Sequence, residues 1–192
     1  MSHNATRTID RPLRIAVELA GPEGPHYWAD LTAGRADEPA LDLSASPSNV
    51  VRIRAADLRE SAKLRERARS EARADGRDPD SISVLVDLEV LVAEEARGAR
   101  KQYALLDGRR RADTLSYIGT PHGLAGLIAD IHTTRVADGV TLLPLGAEFT
   151  IEHIVDGTLP WLESRGLATP SPAVVEVLRR FGTGDRGLIL AS

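Results

Sequence analysis

The chain contains no cysteine. That single absence removes disulfides, thiolate metal sites and cysteine nucleophiles, and it leaves nothing in the sequence that reports redox compartment. A basic excess is also missing: the net charge is -4 with a pI near 5.8, which argues against a nucleic-acid partner, since phosphate-neutralising proteins carry a basic face. No apolar run approaches membrane-spanning length, and the first residues, MSHNATRTIDRP, lack an apolar signal core. No membrane partner is therefore expected, and the cytoplasm is the default location. The five histidines are scattered, none in an HExxH or similar frame, so no metal site is expected and no catalytic residue can be named.

What is present is ordinary for one substantial globular domain: 192 residues, 42% hydrophobic and 27% charged. The most informative stretch runs from Tyr117 to Pro144, YIGTPHGLAGLIADIHTTRVADGVTLLP. Thr120 suits a helix cap and Pro121 the first helical position, while Leu124, Leu127, Ile128 and Ile131 recur at helical spacing. A buried strand over 140–143 follows, stopped by Pro144, with Asp138-Gly139 read as a turn before it. Helix then buried strand is half of a βαβ unit.

Taken in order, the chain predicts strands at 13–19, 50–53, 82–91, 115–118 and 140–143. Between them fall a charged helix from an Asp57 cap to about Asp75 and a second helix from Glu94 to about Leu106. The Arg-rich segment 59–77 is interleaved with acids and reads as a solvated helix face. The Gly- and Pro-rich segment 20–49 predicts a long connection in which only 27–33 forms a helical turn or two. Residues 149–165 predict an amphipathic helix that Pro160 kinks or divides, and 173–181 a short helix in the tail.

Candidate chemistry is sparse. His26 follows the first strand, the side on which parallel α/β folds place their sites; Tyr27 and Trp28 beside it read as anchors packing on the core. His122 reads as a surface histidine near a helix start. Asp87 and Glu89 alternate within a strand and so share one face; the reading favoured here is an edge or solvent-facing side rather than an acid/base pair. The run LSASPS at 43–48 has the small hydroxyl residues of a phosphate cradle.

Several of these pieces together resemble a known family. NVVRIRAADL (49–58), the helix end before Ser81, VLVDLEVLVAEEARGAR (84–100), YIGTPHGLAGLI (117–128), ADGVTLLP (137–144) and FTIEHIVDGTLPWLESRGL (149–167) resemble, in order, the C-terminal part of the bacterial-luciferase-like flavin monooxygenases. The nearest branch is that of the nitrilotriacetate and dibenzothiophene-sulfone monooxygenases. LRIAVELAGP and YWADL resemble the same family's first strand and the loop after it.

The resemblance implies a TIM-like barrel that uses FMN, reduced by a separate flavin reductase, and dioxygen to oxygenate an organic substrate. A full barrel takes about 250 residues, so this chain has room for only about half the units. The fold expected is therefore α/β, an incomplete TIM-like (β/α) barrel with mainly parallel strands over 1–169, followed by a C-terminal tail, 170–192. A flavin phosphate is expected at the ends of the last strands, near Thr141 and Pro144, with Ser44 and Ser46 as a second wall. Two functions stay open: a flavin-dependent oxidoreductase or its remnant, and a non-catalytic oligomerisation or partner-binding protein. A simple phosphate-ligand binder is a third. An open half barrel leaves an apolar face uncovered, which argues for a homodimer or for cover by the tail.

Overall fold

The densest Val/Leu run in the chain becomes the central strand. In the computed structural model, which describes residues 11–20, 26–32, 49–106 and 111–182, six strands form one sheet: β1 (Arg14–Ala20), β2 (His26–Asp30), β3 (Val50–Ile53), β4 (Ser83–Val92), β5 (Leu115–Gly119) and β6 (Gly139–Pro144). β4 pairs in parallel with β6 along one edge, from Leu85↔Gly139 to Val90↔Pro144. Its other edge is shared, β3 taking Ser83 to Val86 and β5 taking Leu88 to Val92, both parallel. β6 continues in parallel to β1, and β1 pairs antiparallel with β2 at the end of the sheet.

This order dictates where the helices lie. α1 (Leu58–Ala74) links β3 to β4, α2 (Ala96–Ala104) returns the chain to the edge it came from, and α3 (Pro121–Thr133) carries it across to β6. With every crossover right-handed, a reversal of direction along the sheet puts its helix on the opposite face. The packing agrees. Val84, Val86, Leu88, Val90 and Val92 join Ile15, Val17, Val140, Leu142 and the apolar stripe of α3 in the main core, whereas Leu91 on the other face packs with Ala93 and Ala99 of the α2 segment.

Local chemistry explains the element ends. The Asp57 carboxylate accepts from the Glu60 N–H to start α1, and the Thr120 hydroxyl accepts from the Gly123 N–H to start α3, with Pro121 in its first turn. The Tyr117 hydroxyl donates to the Thr120 carbonyl and accepts from its N–H, and a Cβ on Gly123 would collide with that hydroxyl. The stretch that organises the sequence is thus a built helix entry.

Pro160 neither divides nor ends the last long helix. α4 (Ala147–His153) runs through a π-helical turn, Ile154–Thr158, into α5 (Leu159–Ser164). The Leu159 N–H reaches back five residues to the Ile154 carbonyl, and this wider turn accommodates the ring and the missing N–H of Pro160. α6 (Pro172–Gly182) puts Val174 and Leu178 into the main core, and the Ser171 N–H bonds the Leu31 carbonyl just beyond β2.

One local expectation is corrected. Residues 27–32 do not start a helix, and 33 lies outside the described residues; 26–30 form β2. The alternation there has period two, Ala29 and the half-buried Tyr27 facing the main core and Trp28 the opposite face. Asp30 fixes the strand end by accepting from Arg14 and from the Thr32 N–H and hydroxyl. The sheet therefore has six described strands rather than four or five, and it forms the expected incomplete, mainly parallel barrel. Among the described residues no helix is long and apolar enough to cross a membrane.

Candidate functional site

In a barrel, the face turned away from the outer helices is the interior, and its C-terminal end is where chemistry is placed. Along β4 that face runs Leu85, Asp87, Glu89, Leu91. The N-terminal layer holds Ala16, Leu85 and the ring of Trp28 from β2. Next come charges. The Arg52 guanidinium on β3 donates through Nε and Nη2 to the two carboxylate oxygens of Asp87 at 3.0 Å each, and through Nη1 to Glu18 on β1 at 2.6 Å. Arg54 adds a 3.3 Å bond to Asp87. Glu89, one layer further, accepts weakly from the Arg111 N–H at 3.4 Å. The C-terminal layer is apolar again, with Leu91 and Ile118 under Ala99, Tyr103 and Leu106.

Asp87 and Glu89 are each 3% exposed, so the solvent-facing reading of this pair is overturned. β4 is the central strand and α2 lies on the face they occupy; neither condition can be seen in their spacing. Burial alone pulls the Arg52 guanidinium down, but the hydrogen bond and charge of Asp87, then those of Glu18, outweigh it and hold Arg52 above its ordinary value. Arg52 is a fixed cation clamped between two anions.

Of the expected cofactor-binding residues, Thr141 and Pro144 lie within the described structure. Thr141 faces this interior at 0% exposure, and its hydroxyl accepts from Trp28 Nε1 at 3.3 Å. Pro144 is three residues along β6 and so projects from the opposite face. Ser44 and Ser46 lie outside the described residues, as does the His26 side chain. His122 is exposed on α3, as the surface reading held. Among the described residues no cluster of His, Asp and Glu is arranged to hold a metal ion.

A second charged cluster sits at the other end of the strands. The Asp138 carboxylate accepts from Arg65, Arg69 and Arg11 and from the Val84 N–H at 2.9 Å. Burial pushes the Asp138 carboxyl up, but the Val84 hydrogen bond and the charges of Arg65 and Arg69 outweigh it and leave the group below the ordinary carboxylate range. Gly139 has no positive φ; a Cβ there would run into the carbonyl oxygen of Arg14 on β1. Asp138-Gly139 is therefore more than the turn expected: Asp138 ties α1 to two strand starts, and Gly139 lets β1 approach. At the N-terminal face of a barrel such a cluster reads as stability.

The comparisons with known proteins bear on the fold. No protein-family model matches the sequence, and no curated protein sequence matches it. Solved structures do match the fold. A riboflavin lyase, determined with a modified FMN and riboflavin, superposes with a TM-score of 0.56 at 17% identity, over 71% of this chain and 43% of its own. A long-chain alkane monooxygenase gives 0.54 at 15% identity, over 72% and 42%. The EDTA monooxygenase of Chelativorans sp. BNC1 gives 0.51 at 18% identity, over 63% and 41%. The chain thus has the fold that its sequence resemblance implied, and spans less than half the length of these relatives.

The described interior does not fit a flavin. A flat ring system needs a slot with free donors and acceptors, whereas here Arg52, Arg54, Glu18 and Asp87 bind one another, Thr141 is engaged by Trp28, and α2 packs on the C-terminal layer.

Proposed function

We propose that this chain acts by binding rather than by turnover: a remnant of the flavin-dependent monooxygenase scaffold whose interior has become a packed, charge-neutralised core. The observation that carries this reading is the mutual pairing of Arg52 with Glu18 and Asp87 on the face whose C-terminal layer α2 covers. A catalytic interior keeps groups poised for a ligand; these are spent on each other. The test is an FMN titration of the purified protein followed by flavin fluorescence, with oxidised and with dithionite-reduced cofactor. No saturable binding at micromolar flavin is the expected result. Tight binding, with oxygen uptake when a flavin reductase and NADH are supplied, overturns it.

The fold likeness favours a second reading, a flavin-dependent oxidoreductase taking reduced FMN from a separate reductase. In that case the cofactor phosphate lies at the strand ends around residues 141–145, with Ser44 and Ser46 opposite. For the homodimer, the open strand edges stay a motive, while the apolar face is covered in part. Ala16, Leu85 and Leu91 are buried within the chain itself, beneath Trp28 and α2.

A further inference from the structure

α2 covers the interior with one side and leaves the other unengaged. Its inner side carries the buried Ala99 with Tyr103 and, just beyond the helix, Leu106. Its outer side carries Arg97, Arg100 and Lys101 at the spacing of one helical stripe, continued by Leu105, which is 80% exposed.

Among the described residues none of these three cations forms an ion pair. Elsewhere the exposed arginines near acids do pair, as Arg67 does with Glu71, Arg179 with Asp156 and Arg180 with Glu176. Glu94 and Glu95, the nearest acids in sequence, precede the helix and form no ion pair with it.

A stripe of one sign ending in an exposed leucine, on a helix without an acidic residue, sets α2 apart from α1, whose exposed cations alternate with Glu60, Glu66 and Glu71. We infer that the outer face of α2 is a docking surface for an acidic segment of a partner protein, with an apolar side chain on that segment seated against Leu105.

The charge complement selects acid over base, and the leucine asks for an apolar anchor that a free phosphate or simple anion lacks. The net acidity of the rest of the chain weighs against polyanionic membranes and nucleic acid, whose extended charge would meet it too. The inference rests on the binding reading above and names the class of partner.

The test uses the full-length protein and a fluorescein-labelled peptide of glutamates spaced around leucines, read by fluorescence anisotropy. Two triple variants are compared, each removing three exposed, unpaired cations: Arg97→Ala with Arg100→Ala and Lys101→Ala on α2, and Arg59→Ala with Lys63→Ala and Arg73→Ala on α1. Because the substituted side chains are exposed and unpaired, both should melt with the wild type.

Saturable binding should weaken at least about tenfold in the α2 triple, by about threefold in Leu105→Ser, and not at all in the α1 triple. Equal losses in both triples, no saturable binding by the wild type, or tighter binding of phosphatidylglycerol vesicles or duplex DNA through the same α2 residues would each overturn the inference. The FMN titration separates the two claims: tight flavin binding with oxygen uptake defeats the non-catalytic reading whatever the peptide does, and a failed peptide assay leaves that reading intact.

Discussion

Replacing Arg52 by Met and Asp87 by Leu, singly and together, asks directly whether the interior wall is structural. Arg52→Met leaves Asp87, its side chain 4% exposed, with Arg54 alone, a cation 42% exposed, and leaves Glu18 without its guanidinium. Removing one partner of such a buried pair costs about 3 kcal/mol, the lower end of the usual range because Arg52 itself is only partly buried. Asp87→Leu strands less, since Arg52 still holds Glu18 at 2.6 Å, and should cost about 2 kcal/mol. In the double variant the stranded Asp87 carboxylate of Arg52→Met is gone, though Glu18 still lacks its guanidinium, so its loss should fall short of the sum by about 1 kcal/mol. In a chain of this size each kcal/mol moves the melting temperature by about 2–4 °C. Urea unfolding followed by circular dichroism gives the free energies, and a thermal melt checks them. Strictly additive losses would refute the coupling. Singles that keep full stability but change flavin affinity would refute the structural reading of the wall, and place Asp87 and Arg52 in a binding site.

Three further outcomes follow from the same packing. Asp138→Asn should destabilise by about 3–5 kcal/mol at neutral pH, because Arg65 and Arg69 lose their buried counter-charge. The Asp138 carboxyl is lowered in the fold, so its contribution is complete above the unfolded carboxylate value and drains away on acidification. The stability curves of wild type and Asp138→Asn should therefore converge as the pH falls below about 4, and parallel curves down to acid unfolding would contradict this. Gly139→Ala should cost about 2 kcal/mol or more in urea unfolding, since β1 must move off its hydrogen bond from the Arg14 N–H to the Asp138 carbonyl; a neutral result would show that the two strands have slack. Trp28→Phe leaves the Thr141 hydroxyl buried without the indole donor and should cost about 1–3 kcal/mol, largely recovered when Thr141→Val is added. An unrecovered loss would assign the cost to ring packing.

The elements that sequence reading found are those whose evidence is local. Val50 to Ile53 and Val140 to Leu143 are short apolar runs between punctuating residues, and Thr120-Pro121 is a cap and a first turn; each is decided within a few residues. β2 was missed because five residues are too few to show a period, and its strand state is decided by the antiparallel ladder with β1. The wall was missed for a different reason. Arg52 meets Asp87 only because β3 lies beside the first half of β4 in the register Ile53↔Val86. Glu18 reaches the same guanidinium from β1, two strands beyond β4 in the sheet.

The order of the sheet is the least local fact of all, and it controls the site. A regular barrel advances by one strand at each crossover, so every helix stays outside and the interior is lined by strands alone. Here β5 returns to the edge already used by β3 instead of advancing past β4. That one reversal turns α2 to the inner face, where Ala99, small enough for close contact, lets it settle on Leu91. A chain less than half the length of the structures it matches thereby covers an apolar layer of its own sheet. The same step packs α2 on the C-terminal layer of the described interior, and that packing together with the Arg52 pairing supports the non-catalytic proposal.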